Sequence, residues 1–199
     1  MRGILFLIIL LLPFTPLRAE PRMAVYFSPH GGCTEAVIQT IAGAKKSILV
    51  EAYSFTSTPI AKALIAAKRR AVRVGVILDK GELANHYSAA RLLGRSGVPV
   101  AIDSSFRIAH SKVMIVDGTT VITGSFNFTK CAEASNSENL LVISNAPDLA
   151  RKYTTIWQEH RGLSEPYSEH HSAYRRVHEH KSSPNFFQRF GNFFHSLGI

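Results

Sequence analysis

The sequence has only two cysteines, Cys33 and Cys131, in 199 residues. Two thiols so far apart make neither a disulfide framework nor a zinc site. A single bond between them and two buried thiols both remain open. Acids are also scarce: 14 Asp and Glu face 23 Lys and Arg, a formal net charge of +9. No Asp/Glu/His cluster has the look of a two-metal clamp. No apolar run reaches the roughly 20 residues that a bilayer-spanning helix needs. No helix-turn-helix or zinc-finger signature is present, so nothing is built to read a base sequence. What is plentiful is apolar content, 46% of residues, enough for one domain with a real core. The excess of positive charge favours polyanionic partners, nucleic acid or an anionic membrane.

The first residues read as a targeting segment. Arg2 precedes the apolar run Ile4 to Leu12, and Leu17-Arg18-Ala19 resembles the end of a signal peptide. The expectation is export to the periplasm or medium with cleavage near Ala19. Leu17 is larger than such a site prefers, so an uncleaved anchor for residues 1–19 is the alternative. The balance stays basic either way.

Residues 22–162 read as one α/β domain. Met23 to Phe27 is a strand, broken by Pro29 to Gly32. Val37, Ile38, Ile41 and Ala44 give helical spacing from Thr34, a suitable N-cap. Ser47 to Phe55 is a strand. Thr58-Pro59 opens a helix ending at Lys68-Arg69-Arg70. Val72 to Leu78 is a strand covered on both faces. Glu82 to Arg95 reads as a third helix, stopped by Gly97, before a strand over Val98 to Ile102. This alternation implies right-handed crossovers. Lys112 to Val116 and Thr119 to Thr123 form a hairpin about Asp117-Gly118. Asn139 to Ser144 is a further strand, and Pro147 to His160 a closing helix. The expected architecture is a mixed, largely parallel sheet with helices on both faces.

Residues 163–199 differ in composition. His170, His171, His178, His180 and His195 lie here. Phe186, Phe187, Phe190, Phe193, Phe194 and Leu197 recur at helical spacing, which suits an amphipathic helix for the domain, a partner or a membrane. The histidines are too loosely spaced for a defined metal site.

The chemistry concentrates between His110 and Asn127. His110 and Lys112 share one face of the outgoing strand, and Ser125 and Asn127 one face of the return. Val113, Ile115, Val121 and Ile122 anchor the hairpin. A histidine can attack or donate a proton near neutral pH. A lysine and neutral hydrogen bonds from Ser and Asn stabilise charge growing on a phosphoryl group. That is phosphoryl transfer with protein charge in place of a metal ion, and with no cofactor.

The spacing His110-Ser111-Lys112, four residues, Asp117, six residues, Gly124-Ser125-Phe126-Asn127 matches H-x-K-x4-D-x6-G-S-x-N without a gap. It resembles the signature of the phospholipase D superfamily. Ala52 to Thr56, Gly124 to Lys130 and Asn136 to Asn139 are similar to its small bacterial endonucleases, which carry one motif per chain. The resemblance covers about residues 23–160. It implies that His110 is a nucleophile forming a phosphohistidine, that Lys112 and Asn127 bind phosphate oxygens with Ser125 in support, and that Glu138 fixes a histidine tautomer. Asp117 and Gly124 then serve as structural support. A second histidine must protonate the leaving oxygen. His30, His86 and His160 lack a lysine two positions on, so a homodimer with a composite site is expected. The substrate expected is nucleic acid, with phospholipid as the alternative. The apolar N-terminus and Phe-rich tail would suit attachment to a membrane.

Overall fold

The computed structural model describes residues 20–168. The readings for residues 1–19 and for the histidine- and phenylalanine-rich segment from His170 onward lie outside the described residues. One eight-stranded sheet organises the rest. Its strands are β1 (Arg22–Ser28), β2 (Ser47–Ala52), β3 (Arg73–Asp79), β4 (Val100–Asp103), β5 (Lys112–Val116), β6 (Thr120–Gly124), β7 (Glu138–Ser144) and β8 (Glu165–Pro166). The helices are α1 (Cys33–Gly43), α2 (Thr58–Arg69), α3 (Ala90–Arg95), α4 (Lys130–Ala134) and α5 (Pro147–Leu163).

The strand order is β1-β7-β6-β5-β2-β3-β4-β8. Only β2–β3 and β3–β4 pair in parallel. The other pairings are antiparallel, so the sheet is mixed but not largely parallel. The physical reason is where the second half of the chain inserts. The helical crossovers do make β1 to β4 run the same way, as crossovers must. The tight turn between β5 and β6 permits only antiparallel pairing, and the β6–β7 link, which carries α4, returns at the same end of the sheet and pairs β7 antiparallel to β6. These three strands slot between β1 and β2 and separate them.

Alternation along the strands sorts two apolar layers. Met114, Val116 and Ile122 join the main core under α1 and α2, where Phe55, Phe126 and Phe128 are fully buried. Ile115 and Val121 face the other way and pack with Ala150, Tyr153 and Trp157 of α5. Trp157 Nε1 donates to Val50 O at 2.9 Å. On the same helix His160 Nδ1 lies 3.0 Å from Glu51 Oε1, a buried carboxylate on β2. That bond, together with the Glu51 charge and against partial burial, raises the His160 pKa. The fold continues past Gly162: β8 pairs with β4, and Tyr167 packs on the main core.

Three local expectations change. The stretch Glu82 to Arg95 is not one helix. A 3-10 turn at Lys80–Leu83 is followed by an irregular link and then α3. Asn85 Oδ1 accepts from Tyr87 N–H, a local bond that competes with helix. Ala89 N–H is spent on Phe55 O. Thr34 does not cap α1; Gly32 stands there at φ 82°. The Glu133 carboxylate on α4 does the work instead, accepting from Gly32 N–H at 3.2 Å and Thr34 N–H at 2.6 Å. Helix α4 itself was not foreseen, although Thr129 caps it by accepting from Ala132 N–H.

Candidate active site

The C-terminal ends of β2 and β3 define one pole of the sheet. Ala52 stands opposite Lys112, and Tyr53 N–H donates to Ser111 O at 2.8 Å. One step on, Phe55 bridges Phe128, and the N–H groups of Thr56 and Ser57 both donate to Phe128 O. The two polar segments 110–112 and 125–127 therefore flank the same end of β2. His110 precedes β5, and Ser125 to Asn127 follow β6, so both lie just beyond the strands and not on them. The main-chain alternation persists: Phe126 and Phe128 are buried, while Ser125 is exposed and Asn127 half-buried.

The loop carrying His110 is fastened from below. Asp79, buried at the end of β3, accepts from Ala109 N–H at 2.8 Å and from Gly81 N–H at 2.7 Å. Lys80 Nζ donates to Phe106 O at 2.9 Å. Neither residue is singled out by the sequence, in which the apolar strand ends at Leu78.

His110 is exposed, and its ring centroid lies 4.5 Å from that of Tyr53. Lys112 is 8% exposed. Its Nζ donates to His110 O at 2.8 Å and stands 4.8 Å from the Tyr53 ring centroid. Tyr53 is thus the platform that joins the two. Burial lowers the Lys112 pKa, and the negative charge of Glu138 pulls the other way. Tyr53 had no role in the sequence reading. The available signal was its place one residue beyond the strand position that meets Lys112.

Ser125 Oγ accepts from Asn139 N–H at 3.0 Å and from Asn139 Nδ2 at 3.3 Å. Asn139 holds Ser125 and is a second residue without an assigned role. The Oδ1 of Asn127 is buried with no hydrogen-bond partner. Leaving such an acceptor unpaired costs about 1–3 kcal/mol, a cost that only a hydrogen-bond donor can offset. Glu138 accepts from Asn136 Nδ2 at 3.1 Å. Among the described residues it makes no hydrogen bond to His110; its influence within the chain is on the charge of Lys112.

Gly124 has φ 145°, and a Cβ there would lie 2.3 Å from Asn139 O. Only glycine lets β6 run this close to β7 at the mouth of the site. Asp117 is at the opposite pole. It takes φ 54° in the hairpin turn, and its carboxylate accepts from the N–H groups of Lys45, Lys46 and Ser47. Burial pushes the carboxyl pKa up, but these backbone donors outweigh it and hold the pKa below its usual value. Asp117 ties the hairpin to the start of β2 and is remote from His110. Cys33 is buried and Cys131 exposed, and neither is bonded. Burial and then the Glu133 charge push the Cys33 thiol up to about 11.

The assembled site offers one ammonium, an amide, a hydroxyl and an accessible imidazole at the same end of β2. Such a set matches an anionic tetrahedral group better than a neutral carbonyl. Among the described residues no group of three or more His, Cys, Asp and Glu side chains is placed to hold a metal ion.

The family model described as "Cardiolipin synthase, PLD-like domain" matches residues 37–161. A protein called phospholipase D from Rickettsia bellii is 40% identical over 139 residues, 70% of this chain and 69% of that one. The mitochondrial cardiolipin hydrolase of Xenopus laevis is 36% identical over 123 residues, 60% of this chain and 59% of the other. Among solved structures, a phospholipase D family member, Nuc from Salmonella typhimurium, superposes with a TM-score of 0.72 at 45% identity. The match covers 74% of this chain and 99% of that one. The family model spans well over half of the chain, and its span contains His110, Lys112, Gly124, Ser125, Asn127 and Glu138. The chain belongs to the phospholipase D superfamily of phosphodiester-cleaving enzymes.

Proposed function

We propose that the chain is an exported, metal-independent endonuclease that cleaves DNA or RNA through a phosphohistidine, with its active site shared between two copies. The observation that carries the reading is the exposed His110 ring on Tyr53, with the Lys112 ammonium held beneath the same ring. In the first step a His110 ring nitrogen attacks phosphorus, the P–N bond forms, and the P–O bond to the leaving group breaks. Lys112 and Asn127 hold the non-bridging oxygens, supported by Ser125. The leaving oxygen departs on the far side of phosphorus. Its proton comes from His110 of the partner subunit, because an in-line displacement puts attacker and leaving group on opposite sides. That same histidine then takes a proton from water, and the resulting P–O bond replaces the P–N bond. Among the described residues Glu138 bonds no histidine, and in this reading the imidazole it orients is that of the partner.

The surface supports a second copy. Met23, Val25 and Phe27 on edge strand β1 are 72%, 55% and 61% exposed, and Phe27 stands opposite Asn139 beside the site. An apolar row of this kind on an edge strand is usually covered. The charge of +9 favours a polyanion as substrate. The names of the Rickettsia and Xenopus relatives favour a second reading, a phospholipid diesterase using the same steps.

The test presents purified protein in EDTA with plasmid DNA, single-stranded DNA, RNA and labelled phospholipid. Nucleic-acid cleavage that survives chelation is expected; turnover of lipid alone would replace the reading with the second one. His110→Ala should abolish turnover and leave the melting temperature nearly unchanged. Mixing His110→Ala with Lys112→Ala protein should not restore a full site. Full recovery in the mixture, or full activity in a monomer, would refute the shared site.

A further inference from the structure

Cations gather at the pole of the sheet opposite the candidate site. At the pole away from His110, Lys45 and Lys46 precede β2, Arg69 ends α2 and Arg73 begins β3, and all four are exposed. Arg73 N–H donates to Lys46 O, so these cations are neighbours despite their distance in sequence. Arg70 adds a fifth charge there, its guanidinium donating to the carbonyls of Ile41 and Ala42 at the end of α1. None of Lys45, Lys46, Arg69, Arg70 and Arg73 forms an ion pair among the described residues. The acids at this pole are fewer than its cations: Asp117, which accepts from three backbone N–H groups and attracts Lys46, Asp148, which pairs with Arg151, and Glu20 before β1.

Two further facts bear on what this patch meets. Strand β2 separates Lys46, just before it at this pole, from Tyr53, just after it at the other, by about 20 Å at the rise of a strand. A flat anionic surface seated on the patch would therefore stand about 20 Å from His110. Second, Arg22 pairs with Ser144, at the end of β7 far from Glu138. Residue 20 therefore leaves the domain at the same end of the sheet as the patch, on the β1 edge four strands from β2. The sequence before it carries the apolar run Ile4 to Leu12.

We propose that this pole, with Lys45, Lys46, Arg69 and Arg73 at its centre, is a docking surface for an anionic lipid bilayer, which turns the active site away from the membrane. Each Lys or Arg near an anionic surface strengthens binding several-fold, and the effect is lost within a Debye length. The arrangement holds the enzyme on the membrane and presents His110 to substrates in the aqueous phase. It goes beyond the proposed substrate, since a soluble phosphodiester of any class would reach the same site.

The experiment uses the full chain and co-sedimentation with two vesicle types, pure phosphatidylcholine and phosphatidylcholine containing phosphatidylglycerol. Lys45→Gln/Lys46→Gln/Arg69→Gln/Arg73→Gln protein is compared with wild type; Arg70 is kept because it bonds α1. A control exchanges Lys for Arg and Arg for Lys at the same four positions. Wild type and control should bind the anionic vesicles and release them in high salt. The neutralised protein should bind them roughly 100-fold more weakly or worse. It should cleave a small soluble phosphodiester at the wild-type rate, which also shows that it is folded. Equal binding of wild type to both vesicle types, or equal binding of anionic vesicles by all three proteins, would overturn the proposal. So would a variant that keeps its vesicle affinity and loses affinity for nucleic acid, which would make the patch a nucleic-acid track.

Discussion

Replacing Lys112 with methionine separates what the residue does for the reaction from what it does for the fold. Methionine fills nearly the same volume and keeps the apolar stem that reaches the Tyr53 ring. The variant loses a charged hydrogen bond to His110 O, worth about 1.5–3 kcal/mol, and a cation–π contact worth about 0.5–1 kcal/mol. It also removes a buried ammonium, whose desolvation costs several kcal/mol. The lowered Lys112 pKa shows that the folded state disfavours the charge. The terms nearly cancel, so stability should change by no more than about 1–2 kcal/mol, or a few degrees in Tm for a domain of this size. The sign depends on pH. A lysine whose pKa falls on folding destabilises at neutral pH. That penalty fades as pH rises through the folded value toward the unfolded value of 10.5. Any gain in the variant is therefore largest near pH 7 and vanishes in strong alkali. Activity should respond quite differently. Losing one preorganised donor to transition-state charge costs about 10²–10³ in kcat. The assay is single-turnover cleavage of a small phosphodiester beside thermal melts at pH 7 and 10. Activity within tenfold of wild type would refute the placement of Lys112 on the phosphoryl group. A variant that does not fold would refute the arithmetic of its burial.

Two other perturbations test the frame of the site. Gly124→Ala should lower stability by about 2–4 kcal/mol, because a Cβ at φ 145° meets Asn139 O, and activity should fall with it as Asn139 loses its grip on Ser125; a thermal melt matching wild type would contradict this. His160→Gln should cost about 1 kcal/mol in acid and progressively less as pH rises. The raised His160 pKa means that its bond to buried Glu51 strengthens the fold fully below the unfolded value of 6.5, and that this is lost as pH rises through the folded value. Denaturant melts at pH 5.5 and 9 measure the difference, and a pH-independent cost would argue against an ionic contribution.

The parts of the molecule legible in the sequence are those governed by local rules. The turn at Asp117-Gly118 was legible because only a few residue types accept positive φ at adjacent positions. Helix α2 was legible from Pro59 at its start and the basic residues at its end. The polar residues about His110 were legible as a spacing. What failed depended on contacts distant in sequence. The pairing of β1 with β7 spans over a hundred residues, and no period in β1 records it. The cap of α1 is a carboxylate from α4, so Thr34 held the expected residue type but not the role. Tyr53 and Asp79 escaped for the same reason. An aromatic and an acid at strand ends are ordinary until another strand brings Lys112 and Ala109 beside them.

The arrangement of charges links the fold to the chemistry. Lys112 is placed where burial disfavours its charge, and Asn127 carries a buried oxygen with nothing to bond. Both are costs to the empty chain. An anionic ligand beside Lys112 would relieve the first by supplying counter-charge, whereas the Asn127 oxygen is an acceptor and would be relieved only by a donor on the substrate. Rigidity makes that relief selective. The Asp79 bond, the Glu51–His160 contact and the tight approach of Gly124 to Asn139 hold the donors where they stand, so they cannot collapse onto one another in the absence of substrate. Preorganised donors are worth most when charge grows during reaction, which is the situation of a phosphoryl group under attack. The same rigidity leaves His110 exposed on its tyrosine, with no second imidazole beside it among the described residues. The proposed shared site would supply one from a second copy, and the exposed apolar row of β1 is the surface on which such a copy would dock.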